Sequence, residues 1–441
     1  MAKRFLGRKV VRVLLVLLVC FVLIQFIRPG LDNPPVTGDL QAPPAVKALL
    51  QRACYDCHSN ETKLLWFDVI NPPYWLVAEH VKEGRRLLNF SHWDSLNVDQ
   101  QKGKLFESLN QIVFKEMPLS QYTTFHGDAR VSDADIKVLR QYLATLSPPR
   151  LADSASVSRA DTQYARWAAV GGAPVTDVKP EPDGFAFIPG YMDWEAISST
   201  ERWDNGTMRV ITGNPVAVKA IREGHTNPWP DGTAFAKIAW KGLMDPDGRI
   251  RPGEFLQVEF MLKDKEKYAS TGGWGWGRWK GDELKPYGKG RMFAMECVHC
   301  HQPMKNFDLV FSSPVYWPGK AARDTAGLDV LSWKVVSSDI DKSSRIMSTL
   351  YGNDAAVTAA RKGMRYPAGA QLALVRWRQR EDEHWYGANV PDSIISIEKV
   401  SIGPKGTRAD CRTYVGPTRT DSSACDLLMQ YITSRRASVM R

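Results

Sequence analysis

The stretch Met295-Glu-Cys-Val-His-Cys-His-Gln-Pro-Met304 contains a C-x-x-C-H motif, Cys297-Val-His-Cys300-His301, around which the chain is organised. Two thiols two residues apart can form thioethers to haem vinyl groups, and the imidazole that follows can bind the iron. The motif recurs at Cys54-Tyr-Asp-Cys57-His58, and the two copies use four of the seven cysteines. A zinc knuckle, a thioredoxin-like redox pair or a plain disulfide would use the same spacing. Zinc needs four ligands, and no second cysteine pair or His-x-x-x-His lies near either copy. Two covalently attached c-type haems, with His58 and His301 as iron ligands, are therefore the expected cofactors.

At 441 residues the chain has room for two or three domains, because single cores stop growing at about 250–300 residues. The formal charge of +10 invites a nucleic-acid partner, but Lys3, Arg4, Arg8, Lys9 and Arg12 supply five of those charges before any acid occurs. No nucleic acid is expected. Residues 13–27 then read VLLVLLVCFVLIQFI, with Gln25 as the polar member. At about 1.5 Å per residue this run is short for a hydrocarbon core of roughly 30 Å unless Val10 and Val11 join it and Arg12 snorkels. No small-x-small cleavage site follows, so residues 1–28 read as an uncleaved signal anchor, a transmembrane helix in a bacterial inner membrane. The basic cluster holds the N-terminus in the cytoplasm and places the bulk of the chain in the periplasm. Cys20 has no small residue before it, which speaks against lipidation.

Residues 29–42 form a Pro/Gly linker, and a helix with Pro44 in its first turn delivers the first motif. Helical patterning continues at 74–88, 103–114 and 132–146, so residues 43–147 are expected to be a small all-α haem domain. A sixth ligand has to come from elsewhere in this fold. Met117, in Glu116-Met-Pro-Leu119, lies in a Pro-interrupted loop, with His80, His92 and His126 as rivals. The motif followed by Ser59-Asn-Glu-Thr62, Trp66, Pro72-Pro73, Gly84-Arg85, Asn89-Phe-Ser91, Trp93 and Lys115-Glu-Met-Pro118 resembles the single-haem haem-binding domain of exported bacterial proteins. That resemblance implies that Met117 is the sixth ligand. His/Met ligation would make a high-potential iron without an open position, suited to passing electrons.

Residues 148–160 are polar and read as a linker, after which strand-like alternation and Gly/Pro turns dominate. An α+β, predominantly antiparallel β architecture follows. Trp194-Glu-Ala-Ile-Ser-Ser199, Met208-Arg-Val-Ile-Thr-Gly-Asn214 and Ala217-Val-Lys-Ala-Ile-Arg-Glu-Gly224 recur 139 residues later, as Trp333-Lys-Val-Val-Ser-Ser338, Met347-Ser-Thr-Leu-Tyr-Gly-Asn353 and Ala356-Val-Thr-Ala-Ala-Arg-Lys-Gly363. After a two-residue deletion, Pro230-Asp-Gly-Thr-Ala-Phe-Ala-Lys237 recurs as Pro367-Ala-Gly-Ala-Gln-Leu-Ala-Leu374. Residues 161–320 and 325–441 are thus read as a haem domain and a haem-less repeat of it. The repeat carries Cys411 and Cys425, too far apart for haem attachment but placed for a disulfide in an oxidising compartment.

The repeat also draws attention to Lys237, which stands where the second copy has Leu374. A site that accepts leucine faces inward, and a lysine there needs a partner or a chemical use; the plain alternative is a lysine snorkelling from the sheet edge. Asp231-Gly-Thr-Ala-Phe-Ala-Lys237, together with Cys297 to His301 and the strand Asp308-Leu-Val-Phe311, is similar to the cytochrome P-460 family over about residues 180–318. The resemblance implies that Cys297 and Cys300 hold the haem, that His301 is the proximal ligand, and that Lys237 is the candidate cross-link to the porphyrin. The β-type cytochromes c′ share the fold without oxidative activity.

An open iron position is expected here, walled by Met292, Phe293, Met295, Trp274, Trp276 and Trp279. By the same resemblance the haem would oxidise hydroxylamine or handle nitric oxide; that chemistry needs a carboxylate near the iron as proton acceptor, for which Glu296 and Glu283 are the candidates in the sequence. The His58 haem would relay electrons to a soluble or membrane partner. The alternative is a non-catalytic gas-binding or purely electron-transferring cytochrome, in one form a subunit of a membrane assembly.

Overall fold

The computed structural model describes residues 2–315, 328–404, 408–415 and 422–441. The 320–325 boundary between the haem domain and its repeat lies outside the described residues. The chain forms two compact units, Met1–Leu146 and Ser147–Arg441.

The first unit is helical. Helix α1 (Ala2–Ile24) leaves most of its apolar side chains over residues 10–23 exposed. Beyond Arg12 its uninterrupted apolar run ends at Ile24, about 18 Å on at 1.5 Å per residue. Among the described residues, no helix is long and apolar enough to cross a membrane, so the expected spanning helix is not supported. Below α1, Asn71 Nδ2 donates to Ile24 O at 2.7 Å and Ile27 O at 3.0 Å, which fastens its end to the domain.

Helix α2 (Pro44–Ala53) buries Val46, Leu49, Leu50 and Ala53 on one face. The short helix α3 (Tyr55–His58) carries the first motif. Helices α4 (Pro73–Leu87), α5 (Val98–Val113), α6 (Ser120–Phe125) and α7 (Asp133–Thr145) follow. Capping boxes at Asn97/Gln100 and Ser132/Asp135 start α5 and α7, satisfying amides that have no partner inside the helix. Tyr55, Phe90 and Trp93 stack at 4.9 and 5.4 Å between centroids and form an aromatic layer in this unit.

The second unit opens with helix α8 (Ser154–Ala169), capped by Asp153. The stretch read as a linker therefore turns helical at its midpoint, because Ala160, Gln163 and Trp167 recur at helical spacing and are buried. The first repeat supplies β1 (Glu195–Arg202), β2 (Thr207–Gly213), α9 (Pro215–Glu223), β3 (Ala234–Met244), β4 (Arg249–Lys263), β5 (Trp274–Lys280), β6 (Lys285–Pro286) and α10 (Ala294–His301). The second supplies β7 (Lys334–Asp341), β8 (Ile346–Gly352), α11 (Asp354–Arg361), β9 (Gln371–Glu381), β10 (Ala388–Ile402), β11 (Arg408–Val415) and α12 (Ser422–Thr433).

The two repeats do not fold as separate domains. Strand order runs β3-β2-β1-β10-β9-β8-β7-β4, and β3 pairs with β4, so the described strands close an antiparallel barrel with four staves from each repeat. Arg202 pairs with Ala388 at one seam and Arg249 with Asp341 at the other. The 139-residue offset exchanges these two pairs, so the seams are images of one another. A repeat alone would leave the seam segments of its first and fourth strands unpaired. The shared interior is duplicated too, with Ala236, Ile238 and Trp240 matched by Ala373, Val375 and Trp377 in one buried cluster.

Cys411 and Cys425 are joined, with Cα atoms 6.1 Å apart, and tie β11 to α12. In urea unfolding, the Cys411→Ala/Cys425→Ala variant is expected to lose about 3 kcal/mol. Reductant should lower the parent toward the variant and leave the variant unchanged; equal stabilities in oxidising buffer would contradict a formed bond.

Candidate functional site

In the helical unit, the Cys57 and His58 amides both bond to the Cys54 carbonyl, at 3.2 and 2.9 Å, and make the motif a single tight turn. Helix α4 presses on it at Gly84, where a Cβ would lie 2.5 Å from the Cys57 carbonyl oxygen. His58 Nδ1 is 3.0 Å from Gly84 O and 3.1 Å from Leu88 O. Two carbonyl acceptors put the proton on Nδ1, so Nε2 keeps its lone pair. Burial holds His58 below its usual range and pushes the Cys54 and Cys57 thiols up to about 12 and about 11. Both thiols are free.

Met117 is half-buried in the loop between α5 and α6, its amide on Gln111 O at 3.2 Å. Two of its rivals have both ring nitrogens engaged: His92 with Thr37 and Asn60, and His126 with Tyr122 O and Asp68. His80 is half-buried on α4, one turn before Gly84.

In the barrel unit, strand register decides which side chains meet. Gly213 and Ile211 pair with Phe235 and Lys237, which pair with Met261 and Glu259, which pair with Trp276 and Arg278. Alternation puts these on one sheet face, and the opposite face, with Val258, Phe260 and Trp279, packs into the barrel core. One end of the face is apolar, where Trp229, Phe235, Trp274, Trp276 and Leu309 form a cluster against which Cys297 and Val298 of α10 pack. The other end is charged. Lys237 Nζ lies 2.6 Å from Glu259 Oε2, Arg278 Nε lies 3.5 Å from Glu259 Oε1, and Gln257 also donates to this carboxylate.

Burial pushes Lys237 down to about 8, with Glu259 opposing the shift. Burial alone would raise Glu259, but Arg278, Lys237 and Arg209 together hold its carboxyl well below the usual range. The charges of Lys237 and Glu259 are felt at Cys297 and His301, and that of Arg278 at both motif cysteines. His301 sits between the Trp276 and Phe311 rings, 4.7 and 4.8 Å away, with Nδ1 2.7 Å from Leu309 O. Burial pushes it down to about 4, so it is a neutral imidazole with Nε2 available.

This slot fits a haem. Aromatic walls suit a flat apolar macrocycle, three cations against one carboxylate suit its two propionates, and two thiols outside any disulfide stand beside a buried imidazole. The Trp276 indole N–H, buried without a partner, is a donor for a bound group.

Several expected residues lie elsewhere. Trp279 points into the barrel core, because it is out of phase with Trp274 and Trp276 on β5. Met292 is 72% exposed, and Phe293 is buried beside Gly288; Met295 is half-buried. Glu283 is exposed and paired with Lys285, and Glu296 is exposed and bound by Tyr287. Neither is the carboxylate at Lys237. Glu259 is, and sequence reasoning missed it; the strand alternation of Gln257, Glu259 and Met261 opposite the Lys237 strand was the available signal. Lys237 itself is covered but not sealed, at 28% side-chain exposure, whereas Leu374 is fully buried. In the repeat, Leu374 stands opposite Glu398, which is paired with Arg376 instead. His384 of the repeat also reaches the site, its Nδ1 2.7 Å from Phe311 O.

No curated protein shows significant similarity to the chain. The haem-binding domain family matches residues 19–145, and the cytochrome P-460 family matches residues 188–312 and 329–405. The second P-460 segment falls on the repeat that lacks the C-x-x-C-H motif. The chain is therefore a haem cytochrome in which a haem-binding domain precedes a cytochrome P-460 region built from two repeats.

Proposed function

We propose that this protein is a di-haem c-type cytochrome in which the barrel-unit haem oxidises hydroxylamine and the His58 haem relays the electrons. The observation that carries this reading is the Lys237–Glu259 pair on the sheet face beside Cys297 and His301. Cys54 and Cys57 would hold one haem, with His58 and Met117 as the ligands to its iron. Cys297 and Cys300 would hold the other, with His301 as ligand. When bound, haem would supply an iron that accepts one electron at a time and, in the barrel unit, could bind a small nitrogen compound.

The residues around the motif would do the rest. Glu259, kept ionised by its cations, would accept a hydrogen bond from the N–H or O–H of a nitrogen compound held there and orient it. Lys237, pushed down to about 8, is the member of the cluster able to exchange a proton on Nζ near neutrality. Phe235, Trp274 and Trp276 exclude bulk water, which strengthens both effects. Lys237 would also become a covalent tether. Joining its Nζ to the porphyrin replaces one N–H and one C–H and consumes a two-electron oxidant such as hydrogen peroxide.

Purified holoprotein is expected to reduce a dye acceptor with hydroxylamine, and Lys237→Leu to abolish turnover. Mass spectrometry should find residue 237 joined to the 297–301 haem peptide. The amine must be neutral to react, so cross-linking during reconstitution should rise with pH through about 8 and level off above it. Rapid nitric oxide binding without turnover would instead support the gas-binding reading. For the relay, the reduced parent should bind one carbon monoxide per chain and Met117→Ala two; two in the parent would contradict Met117 ligation.

Export to the periplasm is proposed on the disulfide, which belongs to oxidising compartments, and on the basic residues preceding the apolar stretch. That exposed stretch would hold the chain at a membrane surface without the helix itself spanning it. Recovery of the protein in the soluble fraction of lysed cells, rather than in salt-washed membranes, would argue against this attachment.

A further inference from the structure

Behind His301 the barrel unit holds a buried ion pair outside the C-x-x-C-H motif. Lys263, at the end of β4 and 6% exposed, places Nζ 2.6 Å from Asp308 Oδ1 and over the Trp274 ring. Asp308 Oδ2 accepts the Trp229 amide at 2.9 Å, and the Asp308 carbonyl accepts the Trp274 indole N–H at 2.8 Å. Every polar handle on Asp308 except its own amide is thereby held, by Lys263 and Trp274 of the sheet and by Trp229 in the loop before β3.

The backbone at this point is unusual. Asp308 and Leu309 have φ of 52° and 64°, the left-handed region that side chains other than glycine rarely enter. Leucine stays there only when its surroundings over-determine it. Gly272 opposite, itself at φ 74°, makes room, because a Cβ there would stand 2.6 Å from Leu309 Cδ1. The consequence of the conformation is that the Leu309 carbonyl turns onto His301 Nδ1 at 2.7 Å.

The repeat provides a comparison within the same chain. Ile402 takes the place of Lys263. The amides of Lys263 and Gly232 exchange bonds with Thr233 O and Lys263 O, as those of Ile402 and Gly369 do with Ala370 O and Ile402 O. Where the C-x-x-C-H motif is missing, the same backbone position holds a buried apolar residue. A buried ion pair is often no better for stability than an apolar isostere, so the fold itself does not require the lysine.

We propose that Lys263 and Asp308 are positioning residues that hold the Leu309 carbonyl on His301 and thereby set the ring orientation and the electron-donating strength of Nε2. A firm hydrogen bond at Nδ1 raises the basicity of an imidazole ligand and favours ferric over ferrous iron. This inference rests on His301 being the iron ligand.

The test uses haem-loaded full-length protein carrying Lys263→Met, Asp308→Asn, or both. Mass spectrometry of the 297–301 haem peptide checks attachment. Spectroelectrochemistry gives the midpoint potential, and resonance Raman gives the iron–histidine band of the five-coordinate ferrous haem. The double variant buries no unpaired charge, so it stays interpretable where a single one misfolds. With haem attached, the ferric/ferrous equilibrium is expected to move about tenfold toward ferrous, about 59 mV upward for one electron. The iron–histidine band should fall in frequency, and the double variant should shift no further than a single one. An unchanged potential and band in loaded variants would overturn the positioning role while leaving His301 as ligand. A parent peptide without thioethers, or a parent without an iron–histidine band, would overturn the underlying reading first.

Discussion

The antiparallel pairing of β3 with β4 closes the barrel and, by the same register, places Lys237 opposite Glu259. Everything in the barrel unit's site depends on that alignment. A slip of one residue would exchange the two faces of either strand, sending Phe235 and Lys237 into the core and Ile238 and Trp240 toward the haem motif. The pairing is protected because the core-facing side chains of these strands are fully buried, so any other register would expose large apolar surface.

The charged end of the site survives burial for a related reason. Four ionisable groups, Arg209, Lys237, Glu259 and Arg278, share one patch of sheet, and burial disfavours a lone charge among them. Glu259 binds the cations together, and their excess positive charge remains for an acidic ligand. The second repeat keeps the carboxylate as Glu398 but replaces the lysine by Leu374 and closes the pair with Arg376. Duplication has thus preserved the scaffold in both halves and the lysine–carboxylate pair in one. The repeat still serves the site, because it completes the barrel and brings His384 and Trp385 against Phe311.

The helical unit reaches a comparable end by other means. There a glycine, Gly84, lets one helix touch the motif turn, and the carbonyls of the same helix fix the tautomer of His58. In both units a backbone carbonyl holds Nδ1 and burial keeps the ring neutral, two requirements of an imidazole ligand.

Local pattern and covalent spacing determined a large part of this protein from the sequence alone. The two C-x-x-C-H motifs, the capped helices, the 139-residue repeat and the oddity of Lys237 against Leu374 are all relations between residues at fixed separations, which a linear chain displays directly. What depended on pairing between distant strands was invisible. Sequence alone does not show that repeats will share a barrel, since closure is decided by which edges find each other. Nor did it reveal Glu259 and Arg278 as the partners of Lys237, or Lys263 and Asp308 behind His301, because those contacts follow from register and from two left-handed residues. Trp279 was misplaced for the same reason. Nearness in sequence suggested nearness to the site, and only the tertiary structure decided which face of each strand was turned toward it.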